Sequence, residues 1–170
     1  MLRRLPVALA VLLAALPAAC SKPVDLKQAL QVTDLSGGFH DAGIVDGRNR
    51  IVPSVTFRIK KTTDDSLRPL SVNIVFKQLP KPGTAVPPGQ PAENDFDEVF
   101  KQNVPFTGNQ TDLLTVRANA GYTGDPPQSR ADMLKHSQFQ DMRVHIFAKH
   151  SSSQWVEIAQ FDLPRQLLTQ

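Results

Sequence analysis

The feature that most constrains this chain is an apolar–polar alternation of period two, repeated in several separate segments. Between Ile51 and Lys61, Val55, Phe57 and Ile59 fall on one side of an extended backbone, and Thr56, Arg58 and Lys60 on the other. From Leu70 to Leu79, Leu70, Val72, Ile74 and Phe76 oppose Asn73 and Lys77. Nearer the C-terminus, Met142, Val144, Ile146 and Ala148 alternate with Arg143, His145, Phe147 and Lys149. A strand with one apolar face has to bury that face, and a second layer is the usual cover. With 170 residues, 41% of them apolar, the chain suits one such domain after removal of a leader, and not two.

The remaining segments extend this pattern. Residues 28–35 read as a first strand, and 36–50 as a turn-rich stretch in which Gly47 supplies a positive φ ahead of strand 51–61. Strands 51–61 and 70–79, joined by the polar turn Thr62–Ser66, form a hairpin or pair across a sandwich. Residues 80–91 carry five prolines, which cannot donate to a ladder, so they form an exposed loop. Phe96–Val104 fits either a short strand or a helical turn. Thr111–Ala118 is a further strand, after a turn at Thr107–Gln110. Ser129 with Asp132 three residues on gives a weak capping box, which predicts one helix of about two turns near 129–136. Trp155–Leu163 returns from a turn at His150–Ser153 as the final strand.

About seven short strands and one short helix fit a mainly β fold, an immunoglobulin-like antiparallel β-sandwich over residues 28–170. A parallel α/β sheet would need long helices between strands, and a lipocalin-like barrel more strands and fewer prolines. The stretch 53–79, PSVTFRIKKTTDDSLRPLSVNIVFKQL, resembles the core hairpin of small Ig-like modules in bacterial envelope proteins, the FxLYD-type domains. The disulfide and tryptophan arrangement of antibody domains is absent.

The N-terminus implies a location. Arg3 and Arg4 precede an apolar run of ten from Val7 to Leu16, the layout of a secretory signal peptide over 1–19 and too short to span a bilayer. The single cysteine, Cys20, follows Ala18-Ala19, and Leu16-Pro17-Ala18-Ala19-Cys20 resembles the lipobox of bacterial lipoproteins. It departs from that pattern at Pro17, where an aliphatic residue is usual. The resemblance implies that Cys20 becomes the first mature residue and carries acyl chains, with 20–27 as lipidated terminus and tether. Ser21 rather than Asp then implies the outer membrane of the cell envelope, facing the periplasm. The full chain carries +3, and two of those charges leave with the leader. No basic cluster with interleaved aromatics speaks for nucleic acid.

Chemistry-bearing patterns are sparse. His40, His136, His145 and His150 offer no spacing that puts two rings on one strand or helix face, so neither a metal nor another cofactor is expected. A convergence of His40, Asp41 and His145 would be needed to change that. Ser151–Ser153 beside His150 lie on a hairpin tip, a poor place for a preorganised nucleophile. Glu93–Glu98 is acidic but lacks the calcium-loop order, and the glycines at 37, 38, 43 and 47 form no phosphate-binding motif. No catalytic residues are therefore assigned. The candidate partner contacts are Tyr122, Phe147 and Trp155. Tyr122 either caps the core or meets a partner; Phe147 and Trp155 are either covered or form an exposed patch. The expected function is a membrane-anchored, non-enzymatic interaction or accessory module contacting another envelope protein. The alternative is a small-ligand- or metal-binding lipoprotein accessory to transport.

Overall fold

The structure, a computed structural model, describes residues 24–168 apart from Asp65 and Pro82. The signal-peptide segment, the lipobox-like motif and Cys20 lie outside the described residues. The described residues form two sheets and two short helices. Helix α1 (Leu26–Ala29) leads into β1 (Leu30–Val45) and β2 (Arg48–Lys61). These are followed by β3 (Leu70–Gln78), β4 (Asn94–Lys101), β5 (Phe106–Thr107), β6 (Gln110–Thr111), β7 (Leu114–Arg117) and β8 (Tyr122–Gly124). Helix α2 (Arg130–Met133), β9 (Met142–His150), β10 (Val156–Leu163) and β11 (Leu167–Leu168) complete the order.

Sheet one is built on the long β1–β2 hairpin, with β11 added to the far edge of β1. On the free side of β2, β6, β7 and β8 pair in turn with Lys60, with Ser54–Phe57 and with Asn49–Ile51, so together they act as one interrupted strand. Sheet two has the order β10-β9-β3-β4 and is antiparallel throughout. The chain changes sheet between β2 and β3, β4 and β5, β8 and β9, and β10 and β11. This agrees with the expected Ig-like sandwich. Strands 51–61 and 70–79 accordingly do not form a hairpin; they belong to opposite layers.

The alternation explains the packing. Val55, Phe57 and Ile59 on β2 face Leu70, Val72, Ile74 and Phe76 on β3 and Met142, Val144, Ile146 and Ala148 on β9, all of them fully buried in one apolar cluster. Phe39 and Phe139 meet edge-on at 5.0 Å between ring centroids and extend that cluster.

Several sequence-based expectations need correction. The first strand starts at Leu30, because Asp25 accepts a hydrogen bond from the Lys27 amide and caps one helical turn ahead of it. It then continues to Val45, through the stretch expected to be mostly turns. The reversal is confined to Asp46 and Gly47, whose φ of 51° and 77° form the tight turn that Asp-Gly favours. Gly37 sits inside β1 because another part of the fold approaches its backbone there. A Cβ on it would lie 2.6 Å from Leu163 and 2.7 Å from the Ser54 carbonyl oxygen. Helix α2 spans one turn, although Ser129 caps it as anticipated by accepting from the Asp132 amide at 3.1 Å.

The ambiguous segment at Phe96 is strand, and the last strand is β11, parallel to β1. In β10 the register passes from Glu157↔Phe147 to Ala159↔Ile146, leaving Ile158 as an extra residue. That bulge shifts side-chain parity. It explains why apolar residues occur on both parities of this strand: Val156 faces inward before it, and Ala159, Phe161 and Leu163 after it.

Truncating the central core residue tests this arrangement. Phe57→Ala is expected to cost about 3–5 kcal/mol, the range for removal of a large buried side chain. Urea unfolding of the two proteins measures it, and a loss below about 1 kcal/mol would contradict the inward placement of Phe57.

Candidate functional site

The inner face of sheet two is committed to the core, so its chemistry lies on the outer face, where cross-strand register sets out successive rows. The first row runs Asp95, Lys77, Arg143, Asp162. Lys77 Nζ lies 3.1 Å from Asp95, and the Arg143 guanidinium forks onto Asp162 at 2.5 and 3.1 Å. Those hydrogen bonds hold the Asp162 carboxyl below the ordinary carboxylate range, despite some desolvation. Glu93, at the end of the proline-rich loop, accepts from Arg143 Nη1 at 2.9 Å. Its other oxygen lies 2.8 Å from His145 Nε2, and Glu157 lies 2.7 Å from His145 Nδ1. The imidazole is thus clamped between two carboxylates.

The second row is Glu98, Val75, His145, Gln160, and the third is Phe100, Asn73, Phe147, Glu157. Trp155, just before β10, joins the aromatic end of the face. Its ring centroid lies 6.1 Å from that of Phe100, and Lys149 Nζ lies 5.8 Å above it. Phe147 is half-buried and stacks on His145 at 6.3 Å. Phe100 remains 54% exposed and Trp155 38% exposed.

A groove of about 440 Å³ runs along β3 and β4, from Lys77 and Asp95 to Phe147 and Trp155, with Val75, Asn73 and Glu98 between. That volume falls in the range of small-molecule sites. Asn73 Nδ2 donates to Glu98 Oε1 at 2.5 Å. Asp97 turns away to bind the other layer: its carboxylate accepts from the backbone amides of Asn119 and Ala120, the latter at 2.9 Å.

The structure separates the sequence candidates. Phe147 and Trp155 are brought together on this face and form a patch, although Phe147 is not fully open. Tyr122 packs among Phe39, Phe96 and Phe139 with centroids 6.2, 5.3 and 4.7 Å away. Its hydroxyl accepts from Gln78 Nε2 at 3.0 Å and is 3.4 Å from the Gln140 carbonyl, the geometry of a core cap. His40 and Asp41 lie on β1 in sheet one, with Asp41 paired to Arg130 at 2.5 Å, whereas His145 lies on sheet two. The three are not brought together, and among the described residues no group of three or more His, Cys, Asp or Glu side chains is placed to hold a metal. The acidic stretch 93–98 divides its carboxylates among Arg143, His145, Lys77, Asn73 and backbone amides, rather than pooling them. His150 and Ser153 close the β9–β10 turn through a hydrogen bond from the His150 amide to Ser153 Oγ.

Phe100 and Asn73 were not candidates from sequence, and Glu93 and Glu98 entered only as the ends of an acidic stretch read as a solvated loop rather than a calcium site. Phe100 fell in the segment ambiguous between strand and helix, so its face was undefined. Asn73 was identifiable only as an outward polar residue. Glu93 meets partners about 50 residues away, and no local pattern signals that.

Neither protein-family models nor curated proteins give a match to this chain. No helix among the described residues is long and apolar enough to cross a membrane.

Asp97 gives a pH-dependent expectation. Desolvation raises its pKa, but the amides of Ala120, Glu98 and Asn119 outweigh that, so the folded value lies below the ordinary one. The stabilisation is therefore complete above the unfolded value of about 3.9 and is lost as pH falls through the lower folded value. Asp97→Asn is expected to lower stability at pH 7 by on the order of 1 kcal/mol. The gap from the parent should close as the pH drops below about 4. Urea unfolding at several pH values measures both, and a gap independent of pH would contradict the assignment.

Proposed function

We propose that this protein is an exported lipoprotein, anchored through Cys20, that works as a non-enzymatic interaction module in the cell envelope. Its contact surface is the outer face of sheet two. The observation that carries this reading is the exposed Phe100–Trp155 pair beside Phe147. Aromatic side chains left open on a sheet face cost solvation, and at interfaces they provide much of the binding energy. A charged border of Asp95, Lys77, Arg143 and Asp162 flanks them, which suits the apolar-centre, polar-rim pattern of protein contacts. The leader and the lipobox-like motif support export and anchoring. A second reading, a small-ligand-binding accessory, is favoured by the groove that runs over the outer face of β3 and β4.

Anchoring and contact can be tested separately. Cys20→Ser is expected to move the protein from the membrane to the soluble fraction, and intact-mass analysis of the parent should show acyl chains on the mature terminus. An unmodified thiol there would end the lipoprotein reading. For the contact face, a photo-crosslinker at position 100 or 155 should capture a discrete envelope protein, while one at the exposed Lys135 should not. Phe100→Ser with Trp155→Ser should lower that capture at least about tenfold, the effect of 1.4 kcal/mol. Undiminished capture would exclude this face.

A further inference from the structure

We propose that His145 is a proton-operated clasp on the outer face of sheet two. With a proton on each ring nitrogen it holds Glu93 and Glu157 together, and with one proton lost it releases Glu157. The clasp stands on the geometry of this face, and its effect on docking rests on the interaction reading above. The carrying observation is that the partly buried imidazole meets a carboxylate at each nitrogen, Glu93 at 2.8 Å from Nε2 and Glu157 at 2.7 Å from Nδ1. An ionised carboxylate only accepts hydrogen bonds, and a neutral imidazole has one N–H to give. Two contacts at hydrogen-bond distance therefore call for the imidazolium, in which both nitrogens donate.

The two carboxylates are not equivalent. Glu93 is held at a second point by Arg143 Nη1 at 2.9 Å, ends the proline-rich connection and has a side chain 19% exposed. Glu157 has no other hydrogen-bond or ion-pair partner among the described residues, and its side chain is 34% exposed. When the ring gives up one proton to water, Nε2–H stays on Glu93 and the bare Nδ1 lone pair faces the Glu157 oxygen. The two repel, and Glu157 turns out to solvent. The other charged groups around the ring do not replace the lost proton. On β9, Arg143 is committed to Asp162 and Glu93, and Lys149 rests over Trp155. On β3, Lys77 is committed to Asp95 of β4. Glu98 of β4 shares the row of the ring and adds negative charge, while β10 supplies Asp162 and the neutral Gln160. Glu157 stands opposite Phe147, in the row that contains Phe100. Release thus places an uncompensated carboxylate beside the aromatic patch, and covering such a group with a partner costs solvation. Histidine is the side chain suited to such switching near neutral pH. The face docks while the ring is charged and lets go once it is neutral.

The full-length protein, labelled with a magnetic nitrogen isotope, is titrated upward from acid pH while proton–nitrogen correlation spectra report each imidazole nitrogen as protonated or bare. His145→Gln identifies the signals of this ring among the four histidines. On the acid side of its midpoint both nitrogens of His145 should read as protonated. Beyond the midpoint Nε2 should stay protonated and Nδ1 should become bare. Glu157→Gln takes the negative charge from Nδ1 and should move the midpoint down by at least about one pH unit, a tenfold loss of proton affinity. The opposite tautomer beyond the midpoint, or an unmoved midpoint in Glu157→Gln, overturns the clasp. The parent titration needs no variant, so the tautomer decides the matter should Glu157→Gln fail to fold. For docking, capture by the crosslinker at position 100 should fall as pH rises through the midpoint, and Glu157→Gln should remove that dependence. Capture indifferent to pH in the parent overturns the regulation even where the ring titrates as described. Absence of capture at every pH removes the interaction reading alone, because the spectra test the clasp without a partner.

Discussion

The β3–β9 ladder is the constraint on which both the core and the candidate site depend. It runs without a break from Leu70↔His150 to Gln78↔Met142. Within it Val72↔Ala148, Ile74↔Ile146 and Phe76↔Val144 fill the space between the sheets. The same pleat obliges Asn73↔Phe147, Val75↔His145 and Lys77↔Arg143 to face outward. A slip of one residue would expose the first set and bury the second, so the large apolar cost of that slip also fixes the outer rows. The site thus inherits its positional accuracy from the core and lies on rigid strands, where side chains are better positioned than on loops.

Two attachments complete this face. Glu93 fastens the end of the proline-rich connection to Arg143 and His145, so a segment without strand pairing still terminates at a defined place. Asp97 reaches in the opposite direction, to amides of the loop before β8 in sheet one. One short strand, β4, therefore holds the outer groove on one side and links the two layers on the other. Its irregularity between Phe76 and Lys77 makes this possible, because a register shift lets Asp95 and Glu98 face outward while Asp97 does not.

Legibility in the sequence followed the physics of each element. Strands 51–61, 70–78 and 142–150 could be read because their two faces meet different solvents and their residues alternate accordingly. Residues 36–45 could not, because Gly37 and Gly38 serve close approach by Leu163 and Gln166, which looks in sequence like turn composition. The parity of β10 was obscured by the bulge at Ile158. Of the candidate contacts, Phe147 and Trp155 were legible as aromatics out of phase with the core, whereas Tyr122 became a core cap through a cluster of rings distant in sequence. Asn73 and Glu98 form a pair only because β4 folds back on β3, a long-range event with no local signature.

The length of β1 bears on how the domain withstands pulling. The described chain enters through α1 directly into this strand, which pairs with β2 from Leu30↔Lys61 to Val45↔Arg48, and its other edge receives β11. Tension drawn along the strand from its N-terminal end loads these hydrogen bonds side by side, in shear, instead of peeling them one at a time. Many bonds must then yield together before the strand moves. A domain held at that end, with a partner engaged on the opposite sheet, would transmit force through its longest strand.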